Sequence, residues 1–309
     1  MTAPLPDAAP TNWVDRLAPA ALRSWLKLGR FDRPAGIWLL MLPGWQGLAL
    51  AAAMRGDLPD PVLMAEFFLG AALMRAAGCA YNDIVDRDFD AQVARTAGRP
   101  IPSGQISVKQ AWAFVAVCCL AALAILLTFP PLAIGLGAGS LALVAAYPFM
   151  KRITWWPQAW LGLTFNWGAL LGFAAATGTL SWPAALLYAS GVFWTLGYDT
   201  IYAVQDLEDD ALAGVKSSAR RLGAAAPKAV LGFYAIALFL ALASAWTGEL
   251  GPLFLPPAAI YGLHLSRQAS RLDVADPAGA LKLFKSNAMA GLVLLAAIIA
   301  GMWRGGVGL

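Results

Sequence analysis

The sequence predicts an all-α, polytopic membrane helix bundle of about nine transmembrane helices, arranged as two four-helix units plus one. Three observations predict it. Sixty per cent of the 309 residues are apolar and only 13% are charged, about half the charged share of a soluble domain. Mean hydropathy is +0.64. Apolar runs of about 20 residues recur from Pro34 onward, the length needed to cross hydrocarbon. The runs are continuous rather than alternating, which excludes a β-barrel. A lipid-exposed backbone must close its own hydrogen bonds, which leaves helices.

The elements follow in order. Residues 1–33 hold Asp7 and Asp15 and lack an unbroken apolar core, so they do not read as a signal peptide. Met1–Pro10 reads as a disordered tail, and Trp13–Phe31 as a short amphipathic helix at the membrane surface. Residues 34–304 form one transmembrane domain, with spans at about 34–54, 61–81, 110–129, 131–149, 156–176, 182–203, 228–247, 251–266 and 286–304. The eighth is short and carries Pro256-Pro257. Residues 305–309 are a tail. Cys79, Cys118 and Cys119 fall in apolar helix and read as small buried hydrophobes. His264 is the only histidine, which argues against a histidine metal site or a catalytic triad.

Charge supports nine spans. With this count, nineteen of the 22 basic residues fall on the side that holds the N-terminus, leaving Arg75 within a span and Arg55 and Arg304 opposite. The positive-inside rule makes that side cytoplasmic. The expected location is thus a bacterial-type inner (plasma) membrane, with the N-terminus and the long loops facing the cytoplasm. The basic residues are spread over membrane loops, so nucleic acid is not an expected partner; the lipid bilayer is, and no protein partner is predicted.

Nine of the 18 acidic residues lie in two short segments, Tyr81–Asp90 and Asp199–Asp210. If the second span continues as helix, Asn82, Asp86 and Asp90 line one face at i, i+4, i+8, with Asp83 at its border. Asp199, Asp206 and Asp210 share a face at i, i+7, i+11. Like charges so spaced repel one another, and hydrocarbon makes their ionisation costlier. A divalent cation compensates. Oxygen ligands without His or Cys point to Mg²⁺ or Mn²⁺, and Mg²⁺ commonly completes its shell with water and phosphate. The two segments are therefore expected to hold metal that bridges a diphosphate. Each runs into a basic, glycine-containing loop, Arg95–Gly104 and Gly214–Gly223, suited to neutralise a leaving diphosphate. A divalent-cation transporter is the non-enzymatic alternative, but it predicts acids near the midplane with entry from both sides.

Asn82-Asp83-x-x-Asp86-x-x-x-Asp90 and Asp206-x-x-x-Asp210 resemble the paired motifs of the UbiA superfamily of intramembrane prenyltransferases. Nearly the whole chain takes part. Arg30-x-Asp-Arg-Pro-x-Gly36, Met74-Arg-Ala-Ala-Gly-Cys79, Arg99-Pro-Ile-Pro-Ser-Gly104, Tyr147-Pro-Phe-Met-Lys-Arg152, Tyr198-Asp-Thr-Ile-Tyr-Ala203 and Gly214-Val-Lys-Ser217 are similar to its 4-hydroxybenzoate branch. The resemblance implies transfer of a polyprenyl group from polyprenyl diphosphate to the ring of 4-hydroxybenzoate, ortho to the hydroxyl, in ubiquinone biosynthesis. It implies Mg²⁺ as cofactor, held with the diphosphate by Asn82, Asp86, Asp90, Asp206 and Asp210. Asp83, Lys151 and Lys216 join them as diphosphate candidates. Asp199 lies about 10 Å deeper than Asp206 at 1.5 Å per residue, which suits the acceptor ring. Arg75, seven residues before Asn82, pairs with Asp199 or meets the aromatic carboxylate, and Arg152 resembles a family arginine expected at that carboxylate. Haem, chlorophyll, naphthoate and homogentisate acceptors are the alternatives within the superfamily. The signature of the CDP-alcohol phosphotransferases, another aspartate-rich membrane class, is absent.

Overall fold

The computed structural model describes residues 12–92, 96–212 and 214–303. The expected tails at 1–10 and 305–309, Arg304 and loop residue Arg95 lie outside the described residues. All described elements are helical. They are α1 (Trp13–Leu17), α2 (Ala20–Leu28), α3 (Ala35–Ala53), α4 (Pro61–Val85), α5 (Arg87–Asp90), α6 (Val108–Leu126), α7 (Pro131–Ile153) and α8 (Pro157–Thr177). Then come α9 (Trp182–Ala203), a 3₁₀ turn (Val204–Asp206), α10 (Leu207–Leu212), α11 (Ser218–Leu222), α12 (Ala226–Thr247), α13 (Leu255–Arg271), α14 (Pro277–Lys285) and α15 (Asn287–Ala300).

Seven stretches among the described residues are long and apolar enough to cross a membrane: α3, α4, α6, α7, α8, Ser218–Thr247 and Pro277–Ala300. The two other expected spans are helices as well. α13 has only 17 residues. α9 has 22, but Tyr, Trp, Ser, Gly and Asp dilute its apolar character. The surface helix expected over Trp13–Phe31 is two helices. The chain turns extended at Ala18 and Pro19, and Pro19 disfavours helical backbone in the residue before it.

By compactness the chain divides into Met1–Trp38 with Phe68–Thr128, and Leu39–Phe67 with Phe129–Leu309. These limits fall elsewhere than a four-helix divide. The core of the first unit joins Leu28, Ala80, Ile84, Ile101, Ile106 and Ala111, with Trp25 packed on Phe114. A second patch joins Ala76, Ala77 and Cys118. The three thiols are free, and Cys79 and Cys118 are buried. Ser107 and Gln110 form a capping box that starts α6.

In the second unit α3 and α8 meet through glycines. A β-carbon on Gly47 would stand 2.2 Å from the Ala169 carbonyl oxygen, and one on Gly172 2.3 Å from that of Gly44. Small residues allow such backbone approach, which drives helix association where no hydrophobic effect operates. Buried polar side chains bind α9, α12, α13 and α15 together. Trp194 Nε1 donates to Asn287 Oδ1 at 2.9 Å, Asn287 Nδ2 to Gln268 Oε1 at 3.1 Å, and Tyr234 OH to the same oxygen at 2.7 Å. Gln268 Nε2 also lies 2.9 Å from His264 Nε2. The sole histidine is thus part of the scaffold.

Candidate functional site

Each unit carries one of the acidic segments. In the first, α4 runs to Val85, four residues past the expected end, and α5 follows at once. The break does not interrupt the helical row. Asp86 N donates to Asn82 O at 2.9 Å and Asp90 N to Asp86 O at 2.8 Å. Asn82, Asp86 and Asp90 therefore stack on successive turns, as their spacing predicts. Asp86 and Asp90 are buried.

Asp83 stands one residue off this row and is fully buried. Arg30 Nη2 donates to both its oxygens, at 2.6 and 2.9 Å. Arg99 Nη1 reaches Asp83 Oδ1 at 3.3 Å and Asp90 Oδ2 at 2.7 Å. Arg30 has φ 61°. It occupies the position after the α2 C-cap in a Schellman turn, with Phe31 N donating to Leu26 O at 2.9 Å and Arg30 N to Lys27 O at 3.1 Å. Glycine is usual there, and a side chain in left-handed backbone costs about 1–2 kcal/mol. The ion pair to Asp83 offsets that cost. Burial pushes the Asp90 carboxyl above its ordinary range, Arg99 pulls it down, and the Asp83 and Asp86 charges add to the rise.

Arg75 belongs to the same unit. A β-carbon on Gly36 would sit 2.7 Å from Arg75 Nε and Nη2. The glycine of the Arg-x-Asp-Arg-Pro-x-Gly motif thus clears the space that the guanidinium occupies.

In the second unit Asp199 is half-buried on α9. The helix tightens to 3₁₀ over Val204–Asp206 before α10. Each 3₁₀ residue turns about 120° instead of 100°, so the three residues of the turn shift Asp206 from about −20° to about +40° from Asp199, and Asp210 from about +20° to about +80°. The face expected for Asp199, Asp206 and Asp210 is widened there to an arc of about 80°. Burial and the neighbouring Asp206 push the Asp210 carboxyl up to about 6, against a hydrogen bond from Ser217 and the charges of Lys151 and Arg220. Lys151 and Arg152 end α7, and Arg152 is exposed. Lys216 ties the loop to α7: its N donates to Lys151 O at 3.0 Å and its Nζ to Ile153 O at 3.1 Å. Arg220 Nη1 donates to the Asp210 and Val215 carbonyls, and its guanidinium lies 5.6 Å from the centre of the Trp155 ring.

Sequence reasoning missed Arg30, Arg99, Ser217 and Arg220 as partners of the carboxylates. The first two stand in motif fragments quoted above, but loop arginines also serve the positive-inside rule, which hid them. Among the described residues no three His, Cys, Asp or Glu side chains form a ready-made metal cage. Mg²⁺ needs none, since one or two carboxylates with water and phosphate suffice. The donors present fit such an ion: they are all oxygen, set on successive turns, and Asp90 already holds a cation in Arg99.

A family model described as the UbiA prenyltransferase family matches residues 40–302. Among relatives, the Bos taurus protein named "4-hydroxybenzoate polyprenyltransferase, mitochondrial" is 46% identical over 92% of this chain and 76% of its own length. The Arabidopsis thaliana protein of that name is 44% identical over 94% and 71%. Among solved structures, the apo structure of a UbiA homolog from Aeropyrum pernix K1 has a TM-score of 0.72 at 28% identity, covering 85% of this chain and 96% of that one. A UbiA homolog from Archaeoglobus fulgidus bound to GPP and Mg²⁺ has a TM-score of 0.61 at 19% identity, covering 90% and 99%; at that identity the likeness shows the fold alone. The names correct one expectation. The relatives at 44–46% identity are mitochondrial proteins of eukaryotes, which contradicts a bacterial-type plasma membrane with its cytoplasmic face. A multi-pass membrane protein stands.

Proposed function

The chain belongs to the UbiA prenyltransferase family, and from that premise we propose that it transfers a polyprenyl group from a polyprenyl diphosphate to the ring of 4-hydroxybenzoate. The observation that carries this reading is the unbroken row Asn82, Asp86, Asp90 at the end of a membrane helix. The names of the relatives support the acceptor.

Asn82, Asp86 and Asp90, with Asp206 and Asp210, are assigned to the diphosphate end of the donor through Mg²⁺. When bound, that ion draws charge from the diphosphate and makes it a better leaving group. The protein's own groups do the rest. Lys151 and Lys216 add positive charge beside Asp210, where the leaving group accumulates its negative charge. Asp199 accepts from the phenol of the acceptor and orients the ring. Arg75 and Arg152 are the candidate partners for its carboxylate. The apolar helices exclude water, which would otherwise capture the allylic cation. The ring carbon ortho to the hydroxyl takes the prenyl carbon as the carbon–oxygen bond to diphosphate breaks, and the ring then loses one proton.

The test is direct. Purified protein receives labelled 4-hydroxybenzoate and geranyl diphosphate, with and without Mg²⁺. Prenylated 4-hydroxybenzoate is expected only with the metal. Product without divalent metal overturns the metal assignment, and no product with donors of any chain length overturns the acceptor assignment.

A further inference from the structure

We propose that Asp83 is a positioning residue, not a metal ligand: a shared anion that seats Arg30 and Arg99, so that Arg99 holds Asp90 in register for the metal. The inference rests on the metal reading above and assigns a role to Asp83, the buried one of the two acidic residues of the first segment that the row leaves out. Asp83 lies about 100° round the helix from Asn82 and about 20° from Asp90, so it borders the Asp90 end of the row, and what keeps it from a metal is its own partners. Both its oxygens are already taken by Arg30. The carboxylate has no exposed surface. Arg99 then bridges Asp83 to Asp90, at 3.3 and 2.7 Å from one nitrogen.

The arrangement has a direction. Arg30 arrives from the surface segment, 53 residues earlier in the chain. Its backbone is left-handed without being glycine, so the segment spends conformational freedom to put a guanidinium, rather than nothing, at this point. A buried carboxylate between two arginines keeps both charged and fixed. Arg99 is the bridging member. It contacts Asp83 more loosely than Asp90, and it comes from the loop that follows α5. Asp83 thus sets where Arg99 can rest, and Arg99 sets the carboxylate of Asp90.

Simple electrostatics predicts the opposite of this proposal for one variant, which makes it testable. Removing a positive charge near a cation site should tighten metal binding. If Arg30 positions, its removal must loosen it. Arg30→Gly suits the left-handed backbone, so it deletes the guanidinium without adding strain. The measurement is Mn²⁺ affinity of the detergent-solubilised protein by electron paramagnetic resonance. Water-proton relaxation per bound Mn²⁺ is read on the same samples. Arg30→Gly and Asp83→Asn are expected to weaken Mn²⁺ binding by about 10–100-fold, the range for groups that orient a ligand. Arg30→Lys should recover part of the loss. Relaxation per bound ion should stay as in the parent protein, because no ligand has been lost. Unchanged or tighter binding in Arg30→Gly overturns the proposal and leaves the pair a plain fold contact. A rise in relaxation per bound ion in Asp83→Asn also overturns it, since an extra inner-sphere water means that Asp83 was itself a ligand. Asp86→Ala separates the two levels. It is expected to abolish Mn²⁺ binding, and parental binding in that variant brings down the metal reading and the proposal with it.

Discussion

Asp210 and Asp90 are both held above the ordinary carboxylate range, so acid reaches the site before it reaches the surface. Between pH about 4 and about 6 the native protein keeps a proton on Asp210 that an unfolded chain has released. Its contribution to stability therefore falls as pH rises through that window, and a cation bound at Asp210 reverses the loss. The rise in melting temperature on adding Mg²⁺ should accordingly be small at pH 5 and reach its plateau above about pH 7. A rise that is equal at pH 5 and pH 7 contradicts Asp210 as a metal-side group. Truncating the assigned ligands has a plainer outcome. Asp86→Ala or Asp206→Ala should cut kcat on the order of 100-fold or more, and full activity in either contradicts the assignment. Gly36→Ala tests Arg75 without touching it. Its β-carbon would fall 2.7 Å from the guanidinium, and a displaced positioning group should lower kcat/KM by roughly 10-fold or more. The melting temperature serves as the control for folding.

Within single helices, the sequence is legible where periodicity operates and silent where partners are remote. The i, i+4 spacing of Asn82, Asp86 and Asp90 reads correctly because the α-helical hydrogen bonds run through the break at Asp86. Over Asp199–Asp210 the same spacing misses a local change, since nothing in Val204-Gln-Asp announces the 3₁₀ turn that widens the face. Arg30 is out of reach for another reason: its partner is 53 residues away, and its left-handed backbone occupies a place that sequence rules give to glycine. Glycines inside apolar helices are equally mute. Gly172 and Gly139 look alike in sequence, yet a β-carbon on Gly172 would strike the Gly44 carbonyl while one on Gly139 meets nothing within 4 Å. Gly172→Leu is expected to destabilise the second unit by about 1–3 kcal/mol or more through overpacking. Gly139→Ala should be neutral or slightly stabilising, as alanine is the better helix former. Melting of the two variants in one detergent checks both; equal melting temperatures would contradict the packing of α3 on α8.

The number of membrane crossings is a property of the whole chain. The sequence reading counts nine spans; seven described stretches are long and apolar enough to cross by composition alone, and α9 and α13 fall short of that for different reasons. α9 is buried on many sides and carries Asp199, so its surroundings are protein rather than lipid, and it can forgo apolar residues. α13 is short and holds His264 and Gln268 in the buried polar set. Charge argues that both cross. Arg267, Arg271, Lys282 and Lys285 join the other basic residues only if α13 passes through the membrane. We therefore expect single cysteines at Thr179 and Glu249, placed in a chain whose native cysteines are serine, to react with an impermeant maleimide from one face of sealed vesicles. Cysteines at Glu208 and Asp273 should react from the other face. If Asp273→Cys labels from the Glu249 side, α13 does not cross. If Glu208→Cys labels from the Thr179 side, α9 does not cross, and Asp199 and Asp206 lose the helix that separates an acceptor depth from a diphosphate depth.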